Sequence, residues 1–231
     1  CGLSGKIDLI TEFQVENDID LFFVTETFQT ETKTHRGLGR PFLNLTKPDN
    51  RNITGGRRVT GGVAGFQRPG NPLRTQTLHT DYDANYSIQN IEGMIIAIGY
   101  FSPSTDDQKL IDFLNKVRII AGELPCVILG DFNARLGELN GDHSTNVRGR
   151  KLKNWLIEEA NLDFQVELPA RGKWTTFASG GMGITDIVIT KDVNIGDYTI
   201  WEDNGLGGSD HRPLTFNVGK EARREREFER W

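Results

Sequence analysis

Four separated groups of acidic, amide and imidazole residues carry whatever chemistry this chain performs: Thr25-Glu26-Thr27, Gly130-Asp131-Phe132-Asn133, Thr185-Asp186-Ile187 and Ser209-Asp210-His211-Arg212-Pro213. Residues of these types suit hydrolysis of a phosphodiester, which demands roughly 20 kcal/mol of transition-state stabilisation and therefore several cooperating groups. A hard divalent cation held by carboxylates and water would screen the phosphate, with Glu26 the leading ligand and Mg²⁺ the natural ion, Mn²⁺ a substitute. Asp131 and Asn133 are separated by one residue at the end of an apolar run, so extended geometry puts both on one face and turns Phe132 into packing. The carboxylate can hold or deprotonate a water, and the uncharged amide can orient it or bind a phosphate oxygen. His211 can bind or protonate a phosphate oxygen if a carboxylate fixes its other nitrogen, and Asp186 is the best-placed partner. Asp210 adds a carboxylate beside that site.

These groups need strand ends to hold them. Apolar runs at 21–24 and 126–129, and the residues around Asp186, read as buried strands, each meeting an acidic motif at one end. Leu3, Ile7, Leu9, Ile10 and Phe13 recur at near-helical spacing and predict a helix feeding a strand over 19–24. Gly61-Gly62-Val63-Ala64-Gly65-Phe66 predicts a short strand approached closely by other backbone, and 91–101 predicts another strand, stopped by Ser102-Pro103. Ser104-Thr105-Asp106-Asp107 then resembles a capping box for a helix reaching about 121, with Leu110, Phe113, Leu114, Val117, Ile120 and Ala121 in one stripe. A second amphipathic helix is predicted from about 149 to 160, with Leu152, Trp155, Leu156 and Ala160 inward and its basic cluster, Arg148 to Lys153, on a solvated face. Strands are expected again near 174–177, 184–190, 198–201 and 214–218. This order of strand, helix and strand favours an α/β sheet.

The 231 residues, 36% of them hydrophobic, suffice for one sizeable core. A net charge of −5 argues against nonspecific coating of nucleic acid, yet leaves room for an acidic metal site amid local basic groups. Two cysteines, Cys1 and Cys126, indicate no disulfide framework. No apolar run approaches the roughly 18 residues of a membrane span, and no signal peptide is evident, so a soluble intracellular protein without a membrane partner is expected. His35, His79 and His143 lie in polar surroundings without ligand spacing and are read as surface residues; three glycosylation sequons, Asn44-Leu45-Thr46, Asn52-Ile53-Thr54 and Asn85-Tyr86-Ser87, carry little weight.

In combination, these motifs resemble the endonuclease/exonuclease/phosphatase superfamily, and within it the apurinic-type endonuclease domain of non-LTR (LINE-type) retrotransposons. The pointers to that branch are Arg57-Arg58 before Gly61-Gly62-Val63-Ala64, Gly130 to Ala134, Asn146-Val147-Arg148-Gly149 followed by Leu152, Thr176-Phe177 and Ile184-Thr185-Asp186. The resemblance implies a four-layer α/β sandwich of two packed mixed β-sheets flanked by helices. It implies metal binding by Glu26, water or metal handling by Asp131, orientation by Asn133, and transition-state contact by His211 supported by Asp186. Asp210 would join the metal or acid role, and Tyr100 falls where the family carries a phosphate-contacting tyrosine. The loop over 169–183 lies where related endonucleases present a hairpin to the DNA groove. The family also begins with a strand ending in an asparagine three residues before the position matched by Gly2, so the resemblance implies a domain over 1–218 with its first strand truncated. Residues 219–231 are similar to the charged linker joining such domains to a reverse transcriptase in one polyprotein.

The expected activity is therefore Mg²⁺-dependent nicking of one strand of double-stranded DNA, leaving a 3′-hydroxyl for target-primed reverse transcription, with the nucleus as the site of action. The competing readings are a phosphatase or phosphodiesterase acting on lipid or nucleotide, and a noncatalytic DNA-binding module.

Overall fold

The computed structural model describes residues 3, 5–29, 38, 40–45, 61–159, 163–178, 181–202 and 208–219. Cys1, Gly2, His35, Arg57-Arg58, the sequon at Asn52, Ala160 and the linker over 220–231 lie outside the described residues. In chain order the elements are α1 (Ile7–Glu16), β1 (Leu21–Thr25), β2 (Arg40–Leu45), β3 (Val63–Gln67), β4 (Thr75–Thr80), β5 (Tyr86–Ile91), β6 (Met94–Tyr100), α2 (Asp107–Ala121), β7 (Cys126–Asp131), α3 (Val147–Asn154), β8 (Gln165–Val166), β9 (Thr176–Ala178), β10 (Gly181–Gly183), β11 (Asp186–Lys191), β12 (Asn194–Ile200) and β13 (Leu214–Gly219).

One sheet has the order β4-β5-β6-β7-β11-β8. Its single parallel pair, β6 with β7, is the pair joined through α2, because a parallel neighbour requires a crossover connection. Strand alternation divides its side chains between two cores. Cys126 and Ile128 of β7 join Ile95 and Ala97 of β6 beneath Leu110, Phe113, Leu114 and Val117 of α2 and Leu152 of α3. Val127 and Leu129 face the other way, with Ile96 and Val188, onto a second layer of strands. That layer holds β1-β3-β2 and, beside it, β12-β13, whose described pairings are all antiparallel. Ile7 and Ile10 of α1 cover its outer side against Phe22, Val24, Ala64 and Phe66. The architecture is thus the expected α/β sandwich: helices, sheet, sheet and helix. A cavity of about 760 Å³ lies between β1 and β13, floored by Ile96, Ile98, Val127 and Leu129.

Three local expectations change. The strand read over 91–101 is the second arm of a hairpin, with β5 before it and β6 beginning at Met94. Glu92 and Gly93 both take positive φ, 51° and 83°, the backbone of a tight two-residue hairpin turn, with Glu where Asn or Asp is more common. The helix expected from about 149 begins earlier, where Asn146 caps α3 by accepting from Gly149 N, and Trp155–Glu159 continues it as a π-helical turn. Arg148, expected on the solvated face, is buried (4% exposed). Helix α2 meets its expectation: Asp106 caps it, accepting from Gln108 N, and its apolar stripe is buried except for the half-buried Ile120.

Candidate active site

Tyr100 closes β6 and Asp131 closes β7, and the two stand side by side in parallel register. Asp186 opens β11 directly opposite Asp131, because that pair is antiparallel. Just before these residues Gly99 and Gly130 are register partners, and a Cβ on Gly130 would lie 1.9 Å from the Gly99 carbonyl oxygen, so glycine there lets the strand ends close up. After Asp131 the chain leaves extended geometry: Asn133 has φ 49°. The expected same-face pairing of Asp131 and Asn133 is therefore achieved by a left-handed turn rather than by strand alternation. Asn133 N donates to Asp131 Oδ1 at 3.0 Å, and Asn133 Nδ2 donates to Asp131 Oδ2 at 3.1 Å and to the Phe101 carbonyl at 3.2 Å. Phe132 packs into the helix-side core, as expected.

The second layer supplies the facing groups. Glu26 follows β1 with φ 56° and accepts a hydrogen bond from the Tyr100 hydroxyl. Non-glycine residues held at positive φ cluster at sites that over-determine them, and two of the candidate residues are such cases. His211 precedes β13 and is bridged to Thr176 of the β9–β10 hairpin, so the segment over 169–183 does bring a hairpin to the site. Its Nδ1 lies 2.8 Å from Asp186 Oδ2 and its Nε2 3.8 Å from Asp131 Oδ2. Asp210 is exposed on the rim, where its main-chain carbonyl accepts from Phe177 N. Glu26, Asp131, Asp186 and His211 all line the inter-sheet cavity.

The charges are strongly interdependent. Burial, and then the facing Asp186 carboxylate, push the Asp131 carboxyl up from 3.8 to about 7, against the lowering influence of His211 and the Asn133 N–H. Burial alone would lower the His211 imidazole, but the Asp186 carboxylate outweighs it, with Asp131 and Asp210 adding, and raises it to about 10. Burial and the bond to Glu26 raise the Tyr100 phenol, which stays protonated as a donor. At neutral pH the site thus holds an imidazolium clamped by Asp186, beside a carboxyl poised to exchange its proton.

The family described as endonuclease-reverse transcriptase matches residues 94–215, more than half of the chain. The chain belongs to this family. No curated protein sequence matches it. Among solved structures, the endonuclease domain of TRAS1, a telomere-specific non-LTR retrotransposon, is similar over 94% of this chain and 93% of that one, with 18% identity and a TM-score of 0.70. An AP endonuclease from Archaeoglobus fulgidus is similar over 94% and 95%, at 13% identity and a TM-score of 0.65. A 3′-5′ exonuclease from Neisseria meningitidis is similar over 94% and 95%, at 18% identity and 0.59. These likenesses show a shared fold.

Within this family member, no three Asp, Glu, His or Cys side chains among the described residues form a closed metal cage. An Mg²⁺ site has no need of one, since that ion keeps several waters and is bound through one or two carboxylates plus substrate phosphate. The donors fit such an ion: Glu26 offers oxygen at a cavity wall that the Asp131 and Asp186 carboxylates also line. No helix among the described residues is long and apolar enough to cross a membrane.

Two residues that hold the site escaped the sequence reading. Thr175 is fully buried, and its hydroxyl accepts from Thr185 N and Asp186 N at 3.1 and 3.2 Å, fixing the start of β11; no spacing marks it. Arg148 had a signal. A cation in the first turn of α3 opposes the helix dipole, so its presence there calls for another partner.

Proposed function

We propose that this chain is an Mg²⁺-dependent DNA endonuclease that nicks one strand of double-stranded DNA and leaves a 3′-hydroxyl. In a non-LTR retrotransposon polyprotein, that end would prime an attached reverse transcriptase on chromosomal DNA in the nucleus. The observation that carries the reading is the convergence of His211–Asp186, Asp131–Asn133 and Tyr100–Glu26 at adjacent strand ends of the two layers. Glu26, with Asp210 on the rim, would hold Mg²⁺, or Mn²⁺ in its place; when bound, the ion stabilises negative charge developing on the phosphate.

The chain's own residues account for activation of the water and for charge at the phosphate. Asp131, its carboxyl raised toward neutrality by burial and Asp186, is suited to take a proton from an attacking water. Asn133 Nδ2 fixes that carboxylate and keeps the neighbourhood free of further charge. His211, held as an imidazolium by Asp186 at Nδ1, presents Nε2 as a donor to a phosphate oxygen. Tyr100 orients Glu26 through its hydroxyl. Water adds to phosphorus and gives its proton to Asp131, the bond to the 3′ oxygen breaks, and that oxygen takes a proton from solvent water to leave as the 3′-hydroxyl.

Nicking of supercoiled plasmid in Mg²⁺, with chelator and His211→Ala as controls, tests the reading. The expected products are open circles whose nicks a DNA polymerase extends without prior phosphatase treatment. Nicking that survives chelation or loss of His211, or none in either Mg²⁺ or Mn²⁺, would refute it. Release of phosphate from a lipid or nucleotide without nicking would point to the phosphatase reading, and tight DNA binding without cleavage to the noncatalytic one.

A further inference from the structure

The string Asn146-Val147-Arg148-Gly149 forms the start of α3, yet its side chains reach away from the helix toward the turn that carries Asn133. Asn146 Oδ1 accepts from Gly149 N at 2.7 Å, as a helix cap, and also from Arg135 N at 3.1 Å. Its Nδ2 donates to the Asn133 carbonyl at 2.9 Å. Arg148 Nη1 donates to the Phe101 carbonyl at 2.8 Å, the Phe132 carbonyl at 3.0 Å and the Ser102 carbonyl at 3.1 Å, while its Nε is anchored on Asp107 at 2.8 Å. The Phe101 carbonyl is the oxygen that also receives Asn133 Nδ2. Gly149 permits the approach: a Cβ there would lie 1.8 Å from the Arg135 carbonyl oxygen.

We infer that Asn146 and Arg148 are positioning residues that hold Asn133 in its left-handed conformation and so set the Asp131–Asn133 pair. The main-chain carbonyls of 132 and 133 and the amide of 135 are all held by Asn146 or Arg148. A non-glycine residue at φ 49° persists only while its surroundings over-determine it. The guanidinium binds the β6 and β7 exits through Nη1 while Nε holds Asp107 and Nη2 the Thr105 carbonyl, a planar spread of donors that a lysine's single nitrogen could not reproduce. Buried in the fold, Arg148 has no exposed face with which to meet a nucleic acid.

The effect on rate rests on the proposed nuclease function; the effect on local structure does not, so two readouts are needed. Asn146→Asp keeps the acceptor that caps α3 but loses the donor to Asn133, and Arg148→Lys keeps the charge but loses the fork. In each, amide hydrogen exchange across 132–135 is expected to accelerate at least about tenfold, with β6 and β7 amides unchanged. Plasmid nicking is expected to lose roughly 10- to 100-fold in kcat with KM little altered, the scale of a small misplacement of a reacting group. Combined with Asn133→Ala, neither variant should lower kcat beyond Asn133→Ala alone, since all would act through one side chain. Unchanged exchange at 132–135 in both variants, or rate losses that multiply with that of Asn133→Ala, would overturn the inference. If the wild-type chain nicks nothing, the functional reading fails and the exchange data still decide this one.

Discussion

Asp131→Asn should make the metal-free protein more stable above neutral pH while abolishing nicking. The wild-type carboxyl rises from 3.8 in the open chain to about 7 in the fold, so the folded state holds this proton more tightly. Stability from the protonated form is complete below about pH 3.8 and is lost as the pH climbs through about 7. Above that window the buried carboxylate costs about 4 kcal/mol, at about 1.4 kcal/mol per pH unit. An amide in its place cannot ionise. It does surrender the bond from Asn133 Nδ2, worth about 1 kcal/mol, which leaves a net gain of roughly 3 kcal/mol at about pH 8 and a small loss near pH 4. Urea denaturation with chelator present, at both pH values, measures this directly. If the variant is no more stable than wild type at the higher pH, the argument that burial and Asp186 load this carboxyl is wrong.

Asp186→Asn removes the carboxylate that holds the His211 imidazolium up to about 10, so the alkaline fall in nicking rate should move from near that value toward neutrality, read from a pH–rate profile. The same pairing stabilises the fold fully below the ordinary histidine value of 6.5 and fades as pH rises through about 10; in the variant, that slope should become shallower in denaturation curves. Tyr100→Phe, which frees Glu26 of its donor, is expected to lower kcat by roughly tenfold or more and to weaken Mg²⁺ activation, measured by metal titration of the nicking rate. Gly130→Ala, whose Cβ would sit 1.9 Å from a main-chain oxygen, should destabilise by at least about 2 kcal/mol in denaturation midpoints.

Much of this arrangement was legible in the sequence, for identifiable reasons. The stripe from Leu110 to Ala121 and its cap at Asp106 announced α2 because helical period and capping act locally. The acids at 131 and 186 were found because each adjoins a run whose burial is written in its composition. How they meet was harder to read. The pairing of Asp131 with Asn133 was expected, but from strand alternation, and the fold uses a left-handed turn stabilised by a helix about a dozen residues on. Arg148 was assigned outward because its pattern is that of a solvated face, while its partners are carbonyls at 101, 102 and 132, which no local periodicity can reveal. The hydrogen bond from Tyr100 to Glu26 spans 74 residues and depends on how the layers stack.

That bond has a counterpart between His211 and Asp186, and each joins a group borne by one sheet to a group borne by the other. The site is therefore a seam, assembled by the sandwich rather than contained in either half. Its alignment depends on interior contacts such as that between Phe23 and Phe42, whose rings meet edge to face at 5.6 Å in the layer behind Glu26. For this molecule the usual division between residues that fold and residues that react is blurred. Selection on catalysis acts on the thickness of the hydrophobic filling, and drift in that filling retunes catalysis without touching a polar atom.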